Sequence, residues 1–459
     1  MKTESVENEI YLPDEHPRLY KTLLYAFQQI LVMFPATITV ALITGFPVST
    51  TIFSCGLSTI CFLLITKKQV PLFCGSSFAY MSAIIGLVST QGFQTINGIL
   101  PTEAIRISQF GIIMSGFVSV LSGLIVKFWG IKTIDRLLPP QVTGAVSIVI
   151  GLSLAGNALK DISPLNNDNQ FTWVVAFVTF LVSVLIATYC KGFISQLPLL
   201  IGSIVGCGVA LLVQLLGGNE FVLFRSIPNE LFINSVYKIS DGSIFALPSF
   251  SFPMVSLDAV VSIMPIALAT IPESVAHVYQ LDIYVNELAK KKDVVKRYKI
   301  KEKLAENLIG DGISDMICGL IGGPAGTSYG ENMSTMLISK VFSVSVLFVT
   351  SVLLIILSCF APLIKLIYCI PLSVIGGLEI YLFGAIAVQG IAILLQNKCD
   401  VFNTRNIAVI SSILIIGIGG NYAFDGIIPV FGVPIPAISA SAIFGIVLNL
   451  LLNFSKKTN

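Results

Sequence analysis

The chain has 459 residues, 55% hydrophobic and only 11% charged, with mean hydropathy +0.89 and formal net charge +2. A soluble protein of this length carries about 25% charged residues, so the composition excludes a soluble globular domain and gives no reason to expect a nucleic-acid partner. Long apolar runs, rather than alternating ones, predict an all-α polytopic membrane protein and exclude a β-barrel.

The N-terminus is polar and acidic (Glu4, Glu7, Glu9, Asp14, Glu15). It has no short apolar core before a cleavage site, so no cleaved signal is expected. Apolar runs then follow at 22–45, 48–66, 71–90, 109–129, 139–157, 172–190, 196–217, 254–285, 303–322, 331–340, 341–360, 373–395, 405–420 and 434–453. They predict fourteen transmembrane segments in two halves of seven. The third run is interrupted by Cys74-Gly75-Ser76-Ser77-Phe78-Ala79, and the tenth has about ten residues where a full span needs ~20. These two occupy matching places in the halves, and each joins a Gly/Ser/Thr-rich extended stretch to a half-helix. Corresponding broken segments are the sequence mark of an inverted-repeat binding site.

Basic residues fix the expected orientation. With the N-terminus cytoplasmic, Lys67-Lys68, Lys127/Lys132/Arg136, Lys191, Lys290 to Lys303, Lys340, Lys398/Arg405 and Lys456-Lys457 all fall inside. Only Arg106, Lys160, Arg225, Lys238 and Lys365 fall outside, which requires an even number of spans and puts both termini in the cytoplasm. The basic 290–303 stretch reads as a solvated loop, with anionic lipid as the other partner such charge would suit. Residues 218–252 form the largest external loop. The nine cysteines are scattered singly with no CxxC, as small buried hydrophobes. With only His16 and His277 in the chain, no His-rich metal site or metal cofactor is expected.

Ionisable groups at membrane depth are expensive and mark function. Glu331, in Tyr329-Gly330-Glu331-Asn332, stands at the mouth of the tenth segment, and Glu273 ends the apolar run Ile271-Pro272-Glu273. Phe78 and Gly330 sit where half-helices begin, with free backbone N–H groups and the positive dipole end. Such N–H groups suit ligand carbonyls, and ionised carboxylates suit ligand N–H groups. Together they complement a flat, neutral, amide-like ring such as a nucleobase, on which Phe78 and Tyr329 could stack. Glu331 also suits a first-turn acid stabilising its own helix. Glu273 and His277, four residues apart, share a helix face and form a proton-coupling pair, histidine titrating near neutral pH. Asp311 and Asp315 support the site or line polar interior, and Glu379 faces either the cavity rim or a subunit contact.

At these residues the chain resembles the nucleobase–ascorbate transporter family, over nearly its whole length. The resemblance is carried by Leu31-Val32-Met33-Phe34-Pro35-Ala36-Thr37, Gly75-Ser76-Ser77-Phe78-Ala79, Glu273 to His277, Thr327-Ser328-Tyr329-Gly330-Glu331-Asn332 and Ile370-Pro371-Leu372. The family signature reads Glu331-Asn332-Met333-Ser334 then Ser339-Lys340, with Ser334 in place of the usual Gly and Ser339 in place of the usual Thr; Gln28-Gln29 stands where many relatives have Gln-His. The resemblance implies fourteen spans as two inverted repeats, a core domain at 21–130 and 253–360, and a gate domain at 131–217 and 361–454. Cytoplasmic tails occupy 1–20 and 455–459. It implies proton-coupled nucleobase uptake across the cell membrane by a homodimer, with the proton as coupling ion and no other cofactor. Glu273 and Glu331 would bind the base through side chains, Phe78 and Gly330 through backbone amides, with Tyr329 alongside and Ser77, Asn332 and Asp311 in support. His277 would act nearby. A carboxylate at 331 favours uracil, since it would repel anionic urate and partly anionic xanthine; xanthine or another purine is the alternative. A channel and a membrane-embedded protease are the rival classes, though Gly310-Asp311-Gly312 lacks the Gly-x-Gly-Asp and Tyr-Asp partners that protease chemistry needs.

Overall fold

The computed structural model describes residues 10–95, 98–130, 133, 138–163, 170–217, 223–227, 244–430 and 433–454. Parts of the two terminal tails and of the 218–252 loop, with Lys132, Arg136 and Lys238, therefore lie outside the described residues. Every one of the fourteen apolar runs carries a helix. Among the described residues, nine helical stretches are long and apolar enough to cross a membrane.

Helices α1 (Leu19–Thr44), α2 (Val48–Ile65), α3 (Met81–Thr90) and α4 (Thr102–Trp129) come first, followed by α5 (Pro140–Ile162), α6 (Phe171–Tyr189) and α7 (Pro198–Gly217). The second half has α8 (Leu257–Ile263), α9 (Ala267–Lys291), α10 (Leu304–Ile321), α11 (Gly330–Ser339) and α12 (Val344–Ser358). Then come α13 (Ala361–Tyr368), α14 (Leu372–Gln396), α15 (Thr404–Ala423) and α16 (Ala437–Phe454). Helices α4 and α10 pack closely, α2 lies against α10 and α12, and α1 against α12. A second group forms where α5 packs on α14 and α15, and α6 on α7 and α14. The short α13, with no counterpart among the apolar runs, joins the first group: the Val48 amide donates to the Tyr368 hydroxyl at 3.1 Å.

Lipid tails offer no hydrophobic drive for helix association, so close backbone approach through small residues carries it. Gly116 and Gly312 face each other across α4 and α10; a Cβ on either would lie 2.4 Å from the other's carbonyl oxygen. Gly144 and Gly390 make the equivalent contact between α5 and α14. By contrast, only 22% of the apolar windows of α6, α7 and α15 is buried, so these helices present wide apolar faces to the membrane. The turn after α1 needs a left-handed residue, supplied by Gly45 at φ +76°, where a Cβ would press on Leu100 at 2.9 Å.

Irregular backbone at membrane depth survives only if its polar groups are paired. The two broken segments solve this together. Strand β1 (Cys74–Ser76) pairs antiparallel with β2 (Gly326–Ser328), in register Cys74↔Ser328, Gly75↔Thr327 and Ser76↔Gly326. The ladder continues as Ser77 N–H donates to Ala325 O and Tyr329 N–H to Phe73 O, both at 2.9 Å. Thr59 of α2 closes one end, bonding both the N–H and the C=O of Cys74.

The apolar run starting at 434 is not helical from its first residue. Strands β3 (Ile427–Val430) and β4 (Val433–Pro436) form a hairpin, and α16 begins only at Ala437. Pro434 and Pro436 explain the delay, since proline inside a helix removes a hydrogen bond and clashes with the preceding turn.

Near the N-terminus, residues 10–15 form a strap. Tyr11 makes a parallel bridge to Val341, with Tyr11 N–H donating to Lys340 O and Phe342 N–H to Tyr11 O. Leu12 is buried in the main apolar cluster. Lys292 Nζ bonds both Glu15 carboxylate oxygens and the Ile10 carbonyl.

Candidate functional site

The two strands deliver the chain to two short helices. Phe78–Tyr80 form a 3-10 turn that runs straight into α3, and Gly330 is the first residue of α11. Neither N-cap residue, Ser77 or Tyr329, makes a side-chain cap bond, and the first N–H groups of a helix have no carbonyl partner within it. Phe78 and Gly330 line the same cavity, together with Ser77, Glu273, Tyr329 and Glu331. This space of roughly 110 Å³ adjoins a larger one of about 380 Å³ that shares Glu273, Gly330 and Glu331 and adds His277. Of the residues singled out from sequence, Glu273, His277, Glu331, Phe78, Gly330, Tyr329 and Ser77 therefore surround one connected cavity.

Glu331 stands in the first turn of α11, where an acid suits the positive end of the helix dipole, and its carboxylate takes a hydrogen bond from its own backbone amide. Its exposed side chain lines the cavity. His277 is buried; its Nδ1 meets Ser328 Oγ at 2.8 Å. Its Nε2 lies 3.1 Å from where a Cβ on Gly330 would stand. Glycine at 330 thus lets the imidazole approach the mouth of α11, one turn along α9 from Glu273.

Tyr329 has a different place from the stacking platform its aromatic ring suggested. It is 3% exposed, its ring lies against Gly75, and its hydroxyl donates to Ser76 O at 2.7 Å and meets Thr37 Oγ1 at 3.2 Å. A Cβ at Gly75 would stand 2.3 Å from the ring. The ring is a strut joining α1, β1 and the start of α11, because a buried phenol must satisfy its hydroxyl. Phe78, half-buried at the cavity, keeps an accessible ring.

The supporting residues divide into two places. Asn332 is fully buried, and its Nδ2 donates to Gln29 Oε1 at 2.7 Å and Gln29 O at 3.1 Å, tying α11 to α1. Asp311 lies behind the cavity. It accepts from Ser274, the neighbour of Glu273, and from Asn307 Nδ2 at 3.3 Å. Asp315 accepts from the Gly326 amide at 2.7 Å, holding the end of β2. Glu379 reaches neither the cavity nor the protein surface. It is fully buried in α14, beside Gly376 and Gly377, which let that helix approach Ala158 of α5 and Ala176 of α6.

The second helix group supplies the opposite wall: Leu382, Ala385 and Gln389 of α14 line both parts of the cavity, and Ser147 and Ile150 of α5 line the smaller. Sequence reading missed these. Gln389 was the one available signal, an amide within the apolar second half of its helix. Among the described residues no cluster of three or more His, Cys, Asp or Glu could hold a metal.

Comparison with known proteins follows this geometry. The permease family known as Xan_ur_permease matches residues 20–426. A uracil permease of Bacillus caldolyticus is 34% identical over 442 residues, covering 95% of this chain and 93% of the relative. Uracil permeases of Bacillus subtilis and Escherichia coli K12 are each 31% identical, covering 96% and 88% of this chain and 94% and 86% of the relatives. Among solved structures, the murine anion transporter Slc26a9 in its inward-facing state has a TM-score of 0.66 at 12% identity, covering 96% of this chain and 70% of that one. The transmembrane domain of the cyanobacterial bicarbonate transporter BicA has a TM-score of 0.56 at 16% identity, covering 95% and 98%. At such identities these two share the inverted-repeat fold alone. With broken segments paired at their centre, carboxylates beside them and a family match over most of its length, this multi-pass membrane protein is a transporter and not an enzyme, a member of the nucleobase–ascorbate permease family.

Proposed function

We propose that the chain is a proton-coupled uracil symporter working by alternating access. The observation that carries this reading is the convergence of two carboxylates and two half-helix N-termini on one cavity between two helix groups. Uracil has two ring N–H donors and two carbonyl acceptors. Glu331 and Glu273 accept the N–H groups, the Phe78 and Gly330 amides donate to the carbonyls, and Phe78 stacks on the ring. The names of the 31–34% identical relatives support uracil. So does the Glu331 carboxylate, which disfavours anionic purines.

In this reading α1–α4 with α8–α12 form the core, and α5–α7 with α14–α16 the gate. Substrate sits on the core and faces Gln389 and Ser147 of the gate. A proton taken up at Glu273, with His277 nearby, accompanies loading from outside and neutralises the site. The core then moves against the gate, and the proton leaves to the cytoplasm with the base. By reciprocity, uracil binding raises the proton affinity of the coupling acid. The protein sits in the cell membrane with both termini cytoplasmic, surrounded by lipid and paired as a homodimer through its gate helices.

Substitutions separate the two carboxylates. Glu331→Gln removes a charge-assisted acceptor and weakens uracil binding by about 10- to 100-fold. Glu273→Gln retains exchange of uracil across the membrane but abolishes accumulation driven by a proton gradient. The assignment reverses if Glu331→Gln loses coupling without losing binding while Glu273→Gln still accumulates.

A further inference from the structure

A second cavity, of about 330 Å³, lies beside the N-terminal strap and shares no lining residue with the substrate cavity. Three separate pieces of chain build it. The strap gives Pro13 and Asp14, the turn after α2 gives Lys68 and Gln69, and the α9–α10 connection gives Lys296 to Ile300, Glu302 and Lys303. Five cationic side chains (Lys68, Lys296, Arg297, Lys299, Lys303) face two carboxylates (Asp14, Glu302).

The pairing is uneven. Lys296 Nζ bonds Asp14 Oδ2 at 2.6 Å, Lys299 stands 3.2 Å from Glu302, and Lys303 stands 3.6 Å from Glu306 outside the cavity. Among the described residues, Lys68 and Arg297 make no ion pair with an acidic side chain. Lys67 and Lys68 both adopt left-handed backbone, at φ 53° and 58°, a conformation that persists only where the surroundings impose it. That turn carries Lys68 to the cavity wall. Asp14 already shows what the site accepts: its carboxylate takes hydrogen bonds from Lys296 and from the Tyr298 hydroxyl.

We propose that this cavity binds a phosphomonoester or diphosphate group, held by Lys68, Arg297 and Lys299 beside the strap. Arginine's planar fork matches phosphate oxygens, and lysines add point charge. The volume falls in the range of small-ligand pockets, which leaves room for an organic remainder. The same phosphate chemistry comes from a soluble organic phosphate or from the headgroup of an anionic lipid. Bound anion would cross-link strap, α2 turn and α9–α10 connection, and so stiffen this end of the core.

The test uses the full-length protein in neutral, lipid-free detergent. Pyrophosphate is titrated at constant ionic strength while thermal unfolding is followed. In parallel, lipid adducts are counted by native mass spectrometry from nanodiscs of phosphatidylcholine containing phosphatidic acid. A saturable rise in Tm with pyrophosphate, about tenfold weaker in Lys68→Gln/Arg297→Gln, identifies a soluble phosphate. A phosphatidic acid adduct lost in that variant, without a pyrophosphate response, identifies the lipid headgroup. The charge-conserving Lys68→Arg/Arg297→Lys retains the response and controls for folding. The proposal is overturned if neither probe acts on the wild type, or if both act equally on the glutamine variant.

Discussion

Gly75→Ala tests whether the paired strands position the substrate helix. The new Cβ would stand 2.3, 2.4 and 2.7 Å from three ring carbons of Tyr329, where carbon atoms normally keep 3.5–4.0 Å. The ring must move by about an ångström. It cannot do so freely, because its hydroxyl is tied to Ser76 O and Thr37. Overpacking costs about 1–3 kcal/mol, and leaving the buried hydroxyl unsatisfied costs about 1–3 more. The sum, about 2–6 kcal/mol, predicts a Tm lowered by several degrees in purified protein. Tyr329 precedes Gly330 directly, so the Phe78–Gly330 geometry shifts and uracil binding falls with stability. A double-mutant cycle isolates the cause. Tyr329→Ala removes the ring, so Gly75→Ala placed on that background adds little further loss. Additive losses in the double variant would falsify the steric strut.

Other outcomes follow from the strap and the site. Leu12→Ala removes a side chain buried in the main cluster and costs about 2–5 kcal/mol, read as a fall in Tm. A strap that merely lies on the surface would give no change. For Asp14, partial burial pushes the carboxyl up, but hydrogen bonds from Lys296 and Tyr298 outweigh this and hold it below the usual carboxylate value. The folded form therefore binds the proton less readily than the unfolded chain. Its stabilisation is present above the unfolded carboxylate pKa and is lost as pH falls through the lower folded value. The group is half exposed, so the effect is at most about 1 kcal/mol. Asp14→Asn should lower Tm slightly at pH 7, with the difference from wild type shrinking as pH falls below the ordinary carboxylate range; a difference that grows on acidification contradicts the pairing. Gly330→Ala brings a methyl 3.1 Å from His277 Nε2. It should leave folding stability within about 1 kcal/mol of wild type, since alanine favours helix over glycine, while weakening uracil binding. Unchanged binding would remove His277 and Gly330 from the same wall.

The breaks were legible because the chain cannot continue a helix through Cys74-Gly75-Ser76-Ser77 or Gly322-Gly323-Pro324, and carboxylates at membrane depth announce themselves by their cost. That Cys74 would pair with Ser328 was not legible, since no local pattern links residues 254 apart. Tyr329 looked like a stacking ring because sequence shows a side chain but not its neighbours; only the bare backbone of Gly75 beneath it gives it a structural place. Gln389 and Ser147 were hidden for the opposite reason. Each is one of several polar residues in its helix with nothing local to single it out, and only the approach of the two helix groups places it at the cavity. The β3–β4 hairpin lacks an Asn-Gly type turn signal and was read as the start of a span from its hydropathy alone. The strap has no periodicity and is held by contacts to residues more than 270 positions away.

The central claim is tested most directly by radiolabelled uracil uptake into proteoliposomes, with and without an inward proton gradient, competed by unlabelled xanthine, hypoxanthine and thymine. Gradient-driven accumulation of uracil that resists xanthine is the predicted result. Uptake of xanthine or hypoxanthine in place of uracil would contradict the role given to Glu331, and uracil flux that neither saturates nor responds to the gradient would contradict symport by alternating access.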